Sequence, residues 1–100
     1  MREPVFTGAC SAIVTPFDQS GAVNYDRFGR LIDEQIARGL DAICVCGTTG
    51  EASTMSYRER MRTIEFCVDH VDGRLPVIAG TGSNDTRHAI AMSRQAKSLG

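Results

Sequence analysis

The chain has 100 residues, 42% of them hydrophobic and 23% charged, with a net charge of −1. This balance excludes disorder and fits one small globular domain or a piece of a larger one. Both signs of charge are scattered, so the sequence builds no basic face for nucleic acid or for an anionic membrane.

The elements follow in order. Cys10 to Thr15 is a short, mostly apolar run ended by Pro16 and reads as a first strand. Asp18-Gln19-Ser20-Gly21 is turn chemistry. Asn24 is placed to cap a helix whose apolar stripe is Phe28, Leu31, Ile32 and Ile36, with Gly39 at its end. Ala42 to Cys46 is a second strand, followed by Gly47-Thr48-Thr49-Gly50-Glu51. Ser56 and Glu59 have capping-box spacing before a helix with Met61, Ile64, Val68 and Val71 on one face, closed by Gly73. Met55, Met61 and Phe66 are expected in the core. Pro76 to Ala79 is a third strand. After Gly80-Thr81-Gly82-Ser83-Asn84-Asp85, a third helix runs from about Thr86 to Leu99, with Ala89, Ile90, Ala96 and Leu99 as its apolar side.

Strands thus recur about every 33 residues, alternating with helices. The second and third are apolar on both faces, as parallel strands under helices are. Two architectures fit: an open doubly wound sheet, or part of a (β/α)8 barrel. A closed barrel needs eight such units and ~250 residues. Three units ending on Gly100 therefore read as the first part of a longer chain. Alone they would leave sheet edges unpaired and apolar faces uncovered.

The four cysteines show no C-x-x-C spacing, and His70 and His88 lie far from them in sequence. Zinc and thioredoxin-like redox chemistry are not expected, nor is any other metal or cofactor. Cys44 and Cys46 share one side of the second strand if the run is extended. The cysteines read as small buried hydrophobes of a reducing compartment. Met1 to Gly8 lacks an apolar core of signal-peptide length and no segment approaches membrane-spanning length, so cytoplasm is the expected location.

Two loops are candidates for chemistry. Gly80-Thr81-Gly82-Ser83-Asn84-Asp85 begins like the dinucleotide fingerprint, but Asp85 stands where the third glycine belongs and would repel a pyrophosphate at the helix mouth. A tight turn, with Asn84 or Asp85 capping the helix, is the preferred reading. Gly47-Thr48-Thr49-Gly50-Glu51 follows the carboxyl end of a parallel strand, where α/β folds place their chemistry. Its glycines allow N–H groups to converge and its two hydroxyls add donors, which suits a small carboxylate or phosphate. A loop whose threonines merely cap neighbouring backbone fits equally, and both readings stay open on the residues alone. Glu51 reads as structural, since a carboxylate weakens an adjacent anion site.

Phe6-Thr7-Gly8, Ala12-Ile13-Val14-Thr15-Pro16-Phe17, Gly47-Thr48-Thr49-Gly50-Glu51 and Pro76-Val77-Ile78-Ala79-Gly80-Thr81-Gly82 stand in the order and spacing of one known family. The chain resembles the dihydrodipicolinate synthase (4-hydroxy-tetrahydrodipicolinate synthase) family, within the N-acetylneuraminate lyase superfamily of class I aldolases. The resemblance covers essentially the whole chain, as the N-terminal part of a family member. It implies a (β/α)8 barrel, usually tetrameric, that condenses pyruvate with aspartate 4-semialdehyde in lysine and diaminopimelate biosynthesis. Pyruvate forms a Schiff base with a barrel lysine, becomes an enamine and attacks the aldehyde.

By the same resemblance Thr48 joins a proton relay with two tyrosines, and Thr49 binds the pyruvate carboxylate, within the loop bounded by Gly47 and Gly50. The Schiff-base lysine, both relay tyrosines and the arginine for the second substrate have no counterpart here. Lys97 is the only lysine and reads as a surface charge. Tyr25 and Tyr57 sit at helix starts. The 100-residue chain alone is therefore expected to be inactive. Alternatives are another pyruvate aldolase acting on sugar acids, or a non-catalytic fragment that associates with other chains. Lysine-inhibited members bind the effector near Ser53 and Asn84. Tyr57 and Arg60 replace two histidines of that pattern, and His88 replaces a glutamate, so the resemblance implies weak or absent lysine inhibition.

Overall fold

The computed structural model describes residues 3–100. Met1 and Arg2, part of the N-terminal stretch considered above, lie outside the described residues. The elements are β1 (Cys10–Ala12), α1 (Tyr25–Ala37), β2 (Ala42–Val45), a 3₁₀ turn (Ala52–Thr54), α2 (Tyr57–Val71), β3 (Val77–Ala79) and α3 (Thr86–Ser98). The three strands form one parallel sheet in the order β1-β2-β3. No described helix is long and apolar enough to cross a membrane.

The helix starts follow from capping chemistry. Asn24 Oδ1 accepts from Arg27 N at 3.1 Å, and Ser56 Oγ accepts from Glu59 N at 3.1 Å. Only the serine half of the expected capping box forms, since Glu59 returns no bond to the Ser56 N–H. Asp85, rather than Asn84, caps α3, its carboxylate accepting from Arg87 N and His88 N. Gly39 takes the left-handed conformation that ends α1, at φ 89°. At the end of α2 that conformation begins one residue before Gly73, at Asp72.

Packing contributes more than caps do. Phe28 and Ile32 of α1, Ile64 and Val71 of α2, and Ile43 and Val45 of β2 are at most 1% exposed. Each such side chain contributes roughly 1.5–3 kcal/mol by burial, against about 1 kcal/mol for a cap. Met61 is buried as expected, while Met55 and Phe66 pack half-buried against this core. On α3 the buried side differs from the expected one. Met92 is fully buried and Ile90 is 47% exposed. Ala89, Ala96 and Leu99 lie partly buried on the Met92 side.

The strands are shorter than their apolar runs. Ile13 still donates to Cys44 O at 3.1 Å, but the chain then turns across the end of β2, so Val14 and Thr15 lie outside β1. Cys46 lies outside β2 because its φ is 56°, which breaks the extended geometry. It therefore does not share a strand face with Cys44: Cys46 is buried and Cys44 half-buried. Burial on both faces holds for much of β2. Ile78 of β3 is 39% exposed, because its row with Ala12 and Cys44 lies on the side without helices.

Between α1 and α2, Asp33 Oδ1 accepts from Arg74 Nη2 and pairs with His70 Nε2, both at 3.0 Å. These bonds hold the Asp33 carboxyl below the ordinary carboxylate range.

Candidate functional site

The candidate site lies past the carboxyl ends of β2 and β3. There the chain leaves β2 through two non-glycine residues in the left-handed region, Cys46 at φ 56° and Glu51 at φ 60°. Such residues cost about 1–3 kcal/mol each and persist only where neighbours hold them. The positive φ values therefore flank the two glycines of the motif, and neither Gly47 nor Gly50 uses one. Gly50 is present for space: a Cβ there would stand 3.1 Å from Ile13 O and 3.2 Å from Thr15 Oγ1.

Residues Thr48 to Glu51 form a turn closed by Glu51 N donating to Thr48 O at 3.0 Å. The buried Thr15 hydroxyl donates to Gly50 O at 2.8 Å. Thr54 fastens the far side, its N and Oγ1 both donating to Glu51 O, at 2.9 and 2.8 Å. Among the described residues, the Thr48 and Thr49 hydroxyls make no hydrogen bond, and neither do the N–H groups of Thr48, Thr49 and Gly50. Thr15 and Thr54 perform the backbone capping that the bland reading gave to Thr48 and Thr49. The donors of the turn remain free.

β3 is fixed against the same loop. A Cβ on Gly80 would lie 2.1 Å from Cys46 O, so only glycine lets the chain pass. Gly80 N donates to Val45 O at 2.8 Å. Arg60 grips Gly80 O with Nε at 3.1 Å and Nη2 at 2.8 Å. The glycine of the fingerprint-like loop thus serves strand packing, and the mouth of α3 is filled by the chain's own Asp85 carboxylate.

A cleft of about 600 Å³ opens between these segments. It brings together Gly47, Thr48, Ser53, Asn84 and His88, with Cys46, Ala52, Met55, Arg60, Gly80, Gly82 and Ser83 also lining it. Thr49 and Gly50 are not in it: Thr49 is exposed on the turn and Gly50 is buried against the end of β1. Tyr57 stacks on the His88 ring at 5.4 Å and its hydroxyl donates to Gln95 Oε1, which ties α2 to α3 beside the cleft. The lining contains no carboxylate. Burial pushes the Cys46 thiol up to about 11 despite the nearby Arg60 charge, so it stays protonated at neutral pH and is no nucleophile. No described cluster of His, Cys, Asp and Glu is arranged to hold a metal ion.

Two residues were missed from the sequence. Thr15 carried a signal, a threonine before proline at a strand end. Nothing in the sequence marked Arg60 as the clamp on Gly80.

Fold and site define the class: a parallel α/β protein whose loops converge at the carboxyl ends of its strands. The profile of the dihydrodipicolinate synthetase family matches residues 5–100. The 4-hydroxy-tetrahydrodipicolinate synthase of Acetivibrio thermocellus is 56% identical over 100 residues, covering 100% of this chain and 34% of that protein. Among solved structures, dihydrodipicolinate synthase from Aquifex aeolicus superposes with a TM-score of 0.91 at 45% identity, over 95% of this chain and 32% of that one. The chloride-inhibited Acinetobacter baumannii dihydrodipicolinate synthase, solved with pyruvate, gives 0.91 at 42% identity, over 93% and 32%. The chain belongs to the dihydrodipicolinate synthetase family, and it spans about a third of the length of these relatives.

Proposed function

We propose that this chain is the N-terminal segment of a (β/α)8 barrel, the first three βα units, and that the full-length protein is a 4-hydroxy-tetrahydrodipicolinate synthase. It condenses pyruvate with aspartate 4-semialdehyde through a Schiff base, as a homotetramer. This segment supplies the pyruvate-carboxylate loop. Thr49 binds the carboxylate through its hydroxyl and N–H, Thr48 relays protons, and Gly47 and Gly50 shape the turn. The observation that carries this reading is the Thr48–Glu51 turn, strained at both flanks yet with its donors free. A pyruvate complex of a relative 42% identical to this chain supports it.

Lys97, the only lysine, is exposed in the last turn of α3. It lies nine residues beyond His88, about 13 Å along the helix. The Schiff-base lysine therefore belongs to the remainder of the protein, and the 100-residue chain alone is inactive. The test is a condensation assay with pyruvate and aspartate 4-semialdehyde. The full-length protein should turn over and the 100-residue chain should not. No turnover by the full-length protein would defeat the assignment, and turnover by the short chain would place the lysine wrongly.

Ser53, Asn84 and His88 share the cleft with the Arg60 side chain and without a carboxylate, so a cationic effector finds no charge partner there. Lysine inhibition is accordingly weak or absent. Half-inhibition of the full-length protein by micromolar lysine would contradict this.

A further inference from the structure

The Gly50–Glu51 peptide is held at both poles, its carbonyl by the Thr15 hydroxyl at 2.8 Å and its N–H by Thr48 O at 3.0 Å. Glu51 sits at φ 60°, ψ 35°. Flipping this peptide by about 180° would carry Glu51 toward φ −120° at an unchanged ψ of 35°, from the left-handed region into the sparsely populated bridge region, so Glu51's own backbone does not select the present orientation. The flip would also withdraw the Glu51 N–H from Thr48 O and open the turn. The orientation is therefore set by the two hydrogen bonds, and the one from Thr15 reaches the peptide from outside the turn. Thr15 is only 4% exposed, so no solvent molecule readily replaces its hydroxyl, and Gly50 admits no side chain that could wedge the turn.

We propose that Thr15 is the positioning residue of the Thr48–Glu51 turn. Its hydroxyl locks the peptide in the orientation that leaves the Thr49 donors free for an anion. The link to pyruvate rests on the functional reading above, but the lock on the peptide does not. Thr15 touches no reacting atom in this account.

The test uses the full-length protein with Thr15→Val, which keeps the shape and removes the donor, and Thr15→Ser, which keeps the donor. Thr63→Val is the control: Thr63 is also fully buried, and its hydroxyl donates to Glu59 O at 2.8 Å, within α2. Thr15→Val is expected to raise the pyruvate KM and the Glu51 amide exchange rate by about tenfold or more each. The KM for the aldehyde should stay within about twofold. Thr15→Ser should stay near wild type, and Thr63→Val should lower Tm without moving either readout.

Should Thr15→Val not fold, Thr15→Ala against Thr15→Ser makes the same comparison. The proposal is overturned if the donor-free variant leaves Glu51 exchange at the wild-type rate, or if Thr15→Ser is as damaging as Thr15→Val. If exchange rises while the pyruvate KM is unmoved in both Thr15→Val and Thr49→Val, the lock stands and the carboxylate assignment fails.

Discussion

Gly80→Ala should be among the most damaging single-methyl additions in this chain. The new Cβ would sit 2.1 Å from Cys46 O and 2.6 Å from Cys46 C. A relaxed carbon–oxygen contact needs about 3.3 Å, so β2 and β3 must part by about 1 Å. That displacement stretches the 2.8 Å bond from Gly80 N to Val45 O and loosens the Arg60 grip on Gly80 O. One backbone bond is worth about 1 kcal/mol and a bond to a charged donor about 1.5–3 kcal/mol. The expected cost is about 3–4 kcal/mol, or roughly 6 °C or more in Tm at about 2–4 °C per kcal/mol. Gly82→Ala is the matched control, because a Cβ there meets nothing within 4 Å. Thermal unfolding of the two variants in the full-length protein reads the difference. Equal Tm values, within about 1 °C, would refute the close-approach argument.

Other outcomes follow from the helix pair and the cysteines. Asp33, with its carboxyl pKa lowered by Arg74 and His70, contributes stability above the ordinary carboxylate pKa and loses it as the pH falls through the folded value. The Tm gap between wild type and Asp33→Asn should be small, salt-sensitive, fully open at about pH 6 and narrowing only as the pH falls below the ordinary carboxylate range. A gap independent of pH would mean the carboxylate charge is not what matters. Burial raises Cys46 to about 11 and Cys67 to about 12. Iodoacetamide at about pH 8 should leave both unmodified in the native protein and alkylate both after unfolding, as read by peptide mass spectrometry. Native alkylation at the rate of a free thiol would show that the core is open.

The capped helices and the strand-helix alternation were legible because they depend on local signals. Asn24 and Ser56 cap where spacing places them, and Phe28 and Ile32 bury on one stripe. Strand ends were not legible, because tertiary contacts set them: Cys46 leaves β2 by a left-handed kink, and Thr15 turns away to reach Gly50. On α3, Met92 and Ile90 both fit the apolar pattern, and the position of α2 decides between them. The residues of the threonine motif left an anion cradle and a backbone-capping loop equally open, and the capping is done by Thr15 and Thr54. The left-handed residues Cys46 and Glu51 carried no sequence signal, because a glycine marks freedom in φ and room for a neighbour equally well. At Gly50 and Gly80 the room is what counts.

Under the proposed function, Thr49 presents free donors to the pyruvate carboxylate while the reactive lysine lies outside this chain. Borohydride trapping of pyruvate on the full-length protein and on its Thr49→Val variant measures both parts. Loss of hydrogen bonding to a carboxylate should raise the pyruvate concentration for half-maximal trapping by about 10–100-fold, with the reduced adduct on a lysine beyond Gly100. Unchanged half-maximal trapping in Thr49→Val, or an adduct on Lys97, would contradict the account.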